Sequence, residues 1–381
     1  MVVFLIQKLY FFTIVNKESI NEIFFALVRF SIGSEQVFPY LLGGEQWNAV
    51  FDIAKRQTLV GILLAGIEQL PKEQRPPKEL LMQWVLLTER IKNANRKLNI
   101  VAAKVAKNFK EAGFDSVLLK GQAVALYYPS PQLRTPGDID IWLNGSRRDI
   151  IRYVRRFVCG AAPVYHHIEF NISKEADIEV HFTPSWLNST FTNIKLQRFF
   201  RENGAESFAN FVTLEGAGNE VAVATKAFNR VYLLVHIYRH LFSEGIGLRQ
   251  LLDYYWLLKQ GCSDKEREAA MHTLQQLKMV RFAGATMYVL QQVFGLTKEY
   301  MLTAPLKDEG EFLLQEIMLS GNFGMYDVRN TGVNSNNALV RFAKRVARNL
   351  RFTKMYPSEV LWTPVFKMWH TVWRYWYSIF D

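Results

Sequence analysis

The chain has 381 residues, of which 49% are hydrophobic and 21% are charged, a composition typical of a globular protein rather than a disordered one. Its net charge of +11 favours a polyanionic partner, such as a nucleotide, a nucleic acid or an anionic membrane surface, but a basic surface also serves solubility alone. The two cysteines, Cys159 and Cys262, exclude a disulfide framework and a cysteine zinc site, so a reducing cytoplasm is the expected location.

The N-terminal part of the chain is predicted to be helical. Residues 1–15 are apolar but too short to span a bilayer and lack signal-peptide features, so we expect a packed helix or strand there and no transmembrane segment. Apolar side chains then recur at helical spacing, predicting helices over Trp47–Leu70 and Leu80–Phe109. Gly113 is the expected helix stop.

Short strand candidates replace the long helices after Gly113. Strands are predicted over five segments, Ser116–Leu119, Asp138–Leu143, Tyr165–Ile172, Asp177–Thr183 and Phe211–Leu214. Helices are predicted over Gln122–Tyr128 and from a Ser146 cap to Val158. The polar turn over 173–176 favours a hairpin between the two strands that flank it.

From about Thr225 the pattern returns to helix. Helices are predicted to begin near Thr225, Leu248, Asp264 and Glu309, and Gly332–Asn337 is expected to be an exposed loop. The expected fold class is therefore α+β, with a small mixed-sheet core between two helical regions. The predicted divisions are 1–113, 114–215 and 216–381.

The C-terminal tail is basic and then aromatic. Basic residues at positions 341–354 precede aromatic residues at helical spacing: Arg341, Lys344, Arg345, Arg348, Arg351 and Lys354, then Trp362, Phe366, Trp369, Trp373 and Trp376. Such a stripe is expected to pack on its own protein. The alternative is that it docks a protein partner or an anionic membrane surface.

Acidic residues at alternate positions predict a metal site. Asp138 and Asp140 share one face of their predicted strand, while Ile139 and Ile141 point into the core. Neighbouring carboxylates repel each other unless a cation lies between them, and Mg²⁺ bound through carboxylates and phosphates is such a cation. Glu179 can join them if its strand lies beside theirs, and three carboxylates can hold two metal ions.

Two further acid–base roles follow from the same strand face. Glu179, or Asp177 as a substitute, is the candidate proton acceptor, and His181 is a candidate substrate contact or a structural hydrogen-bond donor.

A phosphate turn is predicted at Gly121, because glycine lets an anion approach the backbone and the next helix opens with free N–H groups. Lys120 and Arg134 are the candidate phosphate contacts.

Together these motifs resemble the polymerase-β-type nucleotidyltransferase superfamily, and more narrowly a bacterial family of uncharacterised nucleotidyltransferases. The matching segments are 119–121, 126–129, Arg134, 138–141 and 178–181, with a weaker match over His236, His240 and 247–253. The resemblance implies Mg²⁺ or Mn²⁺ dependence and transfer of a nucleoside monophosphate from an NTP such as ATP to an unidentified acceptor, whether protein, RNA, sugar or small molecule. It adds Arg249 and Gln122 to the nucleotide-binding residues. The wider superfamily usually has glycine or serine directly after the glycine of the turn, where this chain has Gln122. This difference affects how the triphosphate is expected to bind.

Several histidines and two rival functions complete the sequence-based picture. His236 and His240 are expected to pack or line the cleft rather than bind zinc, and only one of His166 and His167 is expected to face it. Arg249 and Asp253 are spaced as a helix salt bridge. The rival functions are an Asp-x-Asp glycosyltransferase and a non-catalytic, antitoxin-like binding module.

Overall fold

The computed structural model describes residues 20–327, 340 and 346–380, with side chains described as far as Tyr375. The predicted N-terminal segment, the Gly332–Asn337 loop, three basic tail residues and one tail aromatic side chain lie outside the described residues: Arg341, Lys344, Arg345 and Trp376. Among the residues described, no helix is both long enough and apolar enough to cross a bilayer.

The described part of the N-terminal region contains four α-helices: α1 (Ile20–Ser31), α2 (Gly44–Arg56), α3 (Val60–Ile67) and α4 (Lys78–Glu111). The single helix predicted over Trp47–Leu70 is wrong, because Thr58 adopts a φ of 55° and separates α2 from α3. Gly113, with a φ of 88°, follows the end of α4 as predicted.

The central sheet has four short strands: β1 (Ser116–Leu118), β2 (Ile139–Leu143), β3 (His167–Glu169) and β4 (Ile178–His181). Their order is β1-β2-β4-β3; β2 and β4 are parallel, and the other two pairs are antiparallel. The predicted hairpin between β3 and β4 is confirmed, and so is the α+β class with a small mixed sheet flanked by helices.

Short helices connect the strands: α5 (Gln122–Ala125), α6 (Arg147–Arg155), α7 (Thr190–Asn203) and α8 (Ala205–Phe208). The predicted cap of α6 is confirmed, since the Ser146 hydroxyl accepts a hydrogen bond from the Asp149 backbone N–H at 3.2 Å. A second, two-stranded sheet pairs the predicted β5 (Phe211–Thr213) with β6 (Glu220–Ala222), which the sequence analysis missed.

The C-terminal region contains α9 (Lys226–Ser243), α10 (Leu248–Lys259), α11 (Asp264–Gln276), α12 (Val280–Phe294), α13 (Lys307–Ser320) and α14 (Pro357–Phe380). The Thr225 hydroxyl caps α9 by accepting a hydrogen bond from Phe228 N at 3.2 Å.

Two clusters of buried side chains hold these elements together. One joins helices from both ends of the chain, for example Phe24 of α1 and Phe282 of α12. The other lies under the central sheet, where Phe109 of α4 and Ile141 of β2 are fully buried. Each such side chain stabilises the fold by about 1.5–3 kcal/mol. Because α4 contributes side chains to both clusters, it packs against the helical flanks and against the sheet. The division of the chain into three parts remains a prediction.

One face of α14 packs on the sheet region, as the aromatic stripe predicted. The Phe366 and Trp369 rings each lie 5.7 Å from the ring of Tyr165, and the guanidinium of Arg147 lies 5.3 Å from the ring centre of Trp373. The opposite face of α14 leaves apolar side chains exposed, including Met368 and Val372.

Candidate active site

The floor of the candidate site is formed where β2 and β4 run in parallel. The register pairs Asp140 directly with Glu179, so these two carboxylates lie side by side on one face of the sheet. Ile139 and Ile141 point to the buried face, as predicted. Asp138 immediately precedes β2 and is exposed to the same side.

Asp140 is held by two basic side chains. Lys120 Nζ lies 2.8 Å from Asp140 Oδ1, and His181 Nε2 donates to the same oxygen at 2.9 Å. Burial alone would raise the pKa of Asp140, but the positive charge of Lys120 and the hydrogen bond from His181 hold that pKa well below its usual range. The second oxygen, Oδ2, is buried without a hydrogen-bond partner. One carboxylate oxygen is therefore left for a ligand.

Glu179 lies between two histidines and opens toward the solvent. Its Oε2 is 3.2 Å from His167 Nδ1 and 3.4 Å from His181 Nε2, and its side chain is 28% exposed, against 1% for Asp140. Burial raises the pKa of Glu179, but the hydrogen bond from His181 together with the charges of His181 and His167 outweighs it, and the net direction is down. Since His181 is almost fully buried and bonded to both acids, its position favours the structural role over substrate contact.

These donors suit a divalent cation. One ligand atom from each of Asp140, Glu179 and His181 lies within 4.8 Å of the others, and Asp140 Oδ2 has no competing bond. Oxygen donors fit Mg²⁺ and Mn²⁺. Asp138 stands outside that three-residue group but lines the same cavity, and repulsion from Asp140 raises its pKa. A positive charge at this point would relieve that repulsion.

Gly121 forms the predicted turn beside these acids. Its φ of 56° and ψ of −113° suit only glycine, and an added Cβ would lie 3.2 Å from the Asp138 carbonyl oxygen. The turn leads directly into α5 and lines the cavity together with Lys120.

Arg134 and Arg249 lie near this turn but differ in their bonding. Arg134 is buried and makes a two-pronged ion pair with Asp253, at 2.7 and 2.8 Å, while the Tyr128 hydroxyl donates to the same acid at 2.6 Å. Arg249 Nη1 donates to the Thr135 carbonyl oxygen at 2.9 Å. The acid expected to pair with Arg249 along α10 is thus bound to Arg134 instead.

The Gln122 side chain points away from the other candidate residues. It is buried against α4, where its Nε2 donates to Asn99 Oδ1 at 2.5 Å, and it lines a separate, small cleft. Its backbone N–H remains at the Gly121 turn, but its side chain does not line the cavity.

The acids open into a cavity of about 600 Å³, roofed by α9 and α10. Asp177 is among the residues that line it. His236 and His240 also line it, as the sequence predicted. Both His166 and His167 line it, so the expectation that only one could face the cleft is wrong. His166 immediately precedes β3, where strict strand alternation does not apply.

Arg239 of α9 is a cavity residue that the sequence analysis missed. It lies three positions after His236 and one before His240, and the spacing of three to His236 places both on one helix face. This spacing was the feature of the sequence that could have indicated Arg239 as a cavity residue. Phe323 also lines the cavity, from a 3₁₀ turn far along the chain, and no local pattern indicates it.

No curated protein matches the chain significantly. Among solved structures, an antigenic nucleotidyltransferase-like protein from Paracoccidioides brasiliensis matches at 11% identity and a TM-score of 0.29, covering 48% of this chain and 92% of that one. The sequence profile described as "Uncharacterised nucleotidyltransferase" matches residues 43–295, a range that contains every site residue described above except Phe323. Because this match spans more than half of the 381 residues, the chain belongs to that nucleotidyltransferase family.

Proposed function

We propose that the protein transfers a nucleoside monophosphate from an NTP to a hydroxyl group of an acceptor, with Mg²⁺ or Mn²⁺ bound. The observation that carries this proposal is the pairing of Asp140 with Glu179 on adjacent parallel strands, beside the glycine turn at Gly121. That arrangement supports the proposal because carboxylates of the kind that bind metal ions and a turn of the kind that binds phosphate line one cavity.

Each residue has a role in this proposal. Asp138, Asp140 and Glu179 would hold the cation, which supplies neutralisation of phosphate charge and activation of the attacking hydroxyl. Lys120 and Arg249 neutralise phosphate oxygens near the Gly121 turn. Arg134 has a supporting role, because its guanidinium is already hydrogen-bonded to Asp253. It contributes positive charge from the cavity wall without contacting the phosphate directly.

The transfer step conserves atoms and charge. The acceptor hydroxyl oxygen bonds to the α-phosphorus while the bond from that phosphorus to the α–β bridging oxygen breaks, and pyrophosphate leaves. The hydroxyl proton passes to a carboxylate oxygen of Glu179, which is more exposed than its neighbour Asp140. Asp177, which also lines the cavity, is the substitute acceptor.

The experiment is incubation with each of the four α-labelled NTPs and Mg²⁺ or Mn²⁺, followed by mass analysis of whatever carries the label. We expect nucleotide-dependent labelling that Asp140→Asn abolishes, because this change keeps the side-chain shape but removes the charge. The matched control is Asp149→Asn, an exposed acid on α6 outside the cavity. Labelling that survives Asp140→Asn would refute the assignment of the metal site.

Donor comparison separates the rival functions. Cleavage of a sugar nucleotide with NTP left intact would favour a glycosyltransferase. Absence of heat on titration with Mg²⁺ and NTP, together with binding of a protein partner, would favour a non-catalytic module.

A further inference from the structure

Arg239 is fixed in position at one end of the cavity. The guanidinium carbon lies 4.1 Å from the ring centre of Trp186, and Nη2 lies 3.1 Å from His240 Nε2. Arginine can only donate hydrogen bonds, so His240 Nε2 must be the acceptor and the ring proton must sit on Nδ1. His240 Nδ1 lies 3.3 Å from Glu244 Oε2, an electrostatic contact without hydrogen-bond geometry that suits that tautomer. A stacked ring and an oriented histidine thus hold the guanidinium in one place.

The positive charge of Arg239 is not matched by a carboxylate in direct contact. In the described part of the chain its guanidinium makes the one hydrogen bond to His240 and no ion pair, and its Nε is buried without a partner. Lys120 and Arg134, by contrast, each pair with an acid. Burial lowers the pKa of Arg239 by more than the charges of Glu244, Glu179 and Asp140 raise it, the direction expected for a cation that has lost water without gaining an anion in direct contact.

Arg239 lies toward the sheet edge opposite to the phosphate turn. Trp186, on which it stacks, also contacts His166 at a ring distance of 4.0 Å, just before β3. Gly121 follows β1, and the order β1-β2-β4-β3 separates these two strands by three interstrand spacings, roughly 14 Å. Arg249 lies on the other side, bonded to the backbone that leads into β2. Arg239 and Arg249, which form no ion pair with any described residue, therefore lie in two separate regions of the cavity.

We propose that Arg239 binds an anionic group of the acceptor, a carboxylate or a phosphate monoester, and so selects acceptors that carry both a hydroxyl and a negative charge. This inference rests on the proposed function, since it takes Glu179 as the residue that the acceptor hydroxyl faces. Glu179 contacts His167, which neighbours His166 on the same edge of the sheet as Arg239. An acceptor anion at Arg239 would leave the Gly121 turn to the triphosphate.

The transfer test compares matched acceptors on the full chain with Mg²⁺ and NTP: glycerol with glycerol 3-phosphate, glucose with glucose 6-phosphate, and ethanol with lactate. We expect label on charged members only. Arg239→Met is expected to raise the acceptor KM by about tenfold or more while leaving the KM for NTP unchanged. Arg239→Lys should recover part of the loss. Transfer to neutral acceptors alone, or a raised KM for NTP in place of the acceptor effect, overturns the proposal.

A binding test keeps this inference separate from the proposed function. Orthophosphate and acetate are titrated by calorimetry into the full chain saturated with Mg²⁺ and a non-hydrolysable NTP analogue, and the pair distinguishes phosphate from carboxylate recognition. We expect binding of one of them to be lost in Arg239→Met and kept in Arg201→Met, a change at an exposed position of α7 outside the cavity, with thermal melting confirming that both variants fold. Anion binding that is equal in wild type and Arg239→Met overturns the proposal, whether or not nucleotide transfer is detected.

Discussion

Glu359, in the first turn of α14, is a buried carboxyl group whose ionisation opposes folding. It is 3% exposed, and its Oε1 accepts a hydrogen bond from Asn188 N at 2.7 Å. Within the described residues no basic side chain forms an ion pair with it. Burial, opposed only by hydrogen bonds from the Asn188 and Ser189 backbone, raises the pKa of Glu359 from 4.5 to about 7.

The sign of the stability effect follows from that direction. Below pH 4.5 the group is protonated in both the folded and the unfolded chain, so it adds no pH dependence. Between 4.5 and about 7 the unfolded chain ionises first, so stability falls as the pH rises. Above about pH 7 the ionisation of Glu359 lowers the free energy of unfolding by its full amount, about 3 kcal/mol.

The perturbation is Glu359→Gln, which keeps the hydrogen-bond acceptor and removes the ionisable proton. We expect little change in the free energy of unfolding at about pH 4.5 and a gain of up to about 3 kcal/mol at about pH 8.5. The assay is urea unfolding followed by tryptophan fluorescence, because Trp362, Trp369 and Trp373 lie on the same helix. Glu202→Gln, at an exposed position of α7, is the matched control. A gain for Glu359→Gln that is the same at both pH values, or a loss at the higher one, would refute the reasoning.

Three further predictions concern the site. Asp253→Asn leaves the buried Arg134 charge without its acid, so we expect a loss of about 3–5 kcal/mol in urea unfolding, which an Arg134→Met/Asp253→Leu double variant should partly recover. Gly121→Ala forces a side chain into a glycine-only conformation, so stability should fall by about 1–3 kcal/mol and the KM for NTP should rise; an unchanged KM would argue against a phosphate turn. Gln122→Ala should leave that KM unchanged, since its side chain faces Asn99; a clear increase would mean that the side chain does reach the nucleotide.

The sequence was most informative where the site depends on local chemistry. Alternation of charged and apolar residues predicted the strands that carry Asp140 and Glu179, and their adjacency, stated as a condition, is met by the β2–β4 register. The family resemblance is confirmed by the profile match over residues 43–295. The roles of the individual site residues stay predictions, to be tested by the variants described above.

The remaining features depend on contacts between distant parts of the chain. Arg134 and Asp253 are 119 positions apart, so nothing in either segment indicates that they pair. Gln122 was predicted to bind the nucleotide because it follows Gly121, yet its side chain is hydrogen-bonded to Asn99 of α4. The break at Thr58 requires a positive φ at a residue that rarely adopts one, and propensity therefore predicted a continuous helix.

The position of α14 links the far end of the chain to acceptor choice. Phe366 of α14 stacks on Trp186 at a ring distance of 6.0 Å, and Trp186 in turn supports Arg239. The family match ends at residue 295, and α14 lies beyond that end. A substitution at Phe366 would therefore be felt at the Arg239 end of the cavity through Trp186, while the carboxylates on β2 and β4 stay in place. Acceptor choice and nucleotide binding are in this way supported by different parts of the chain.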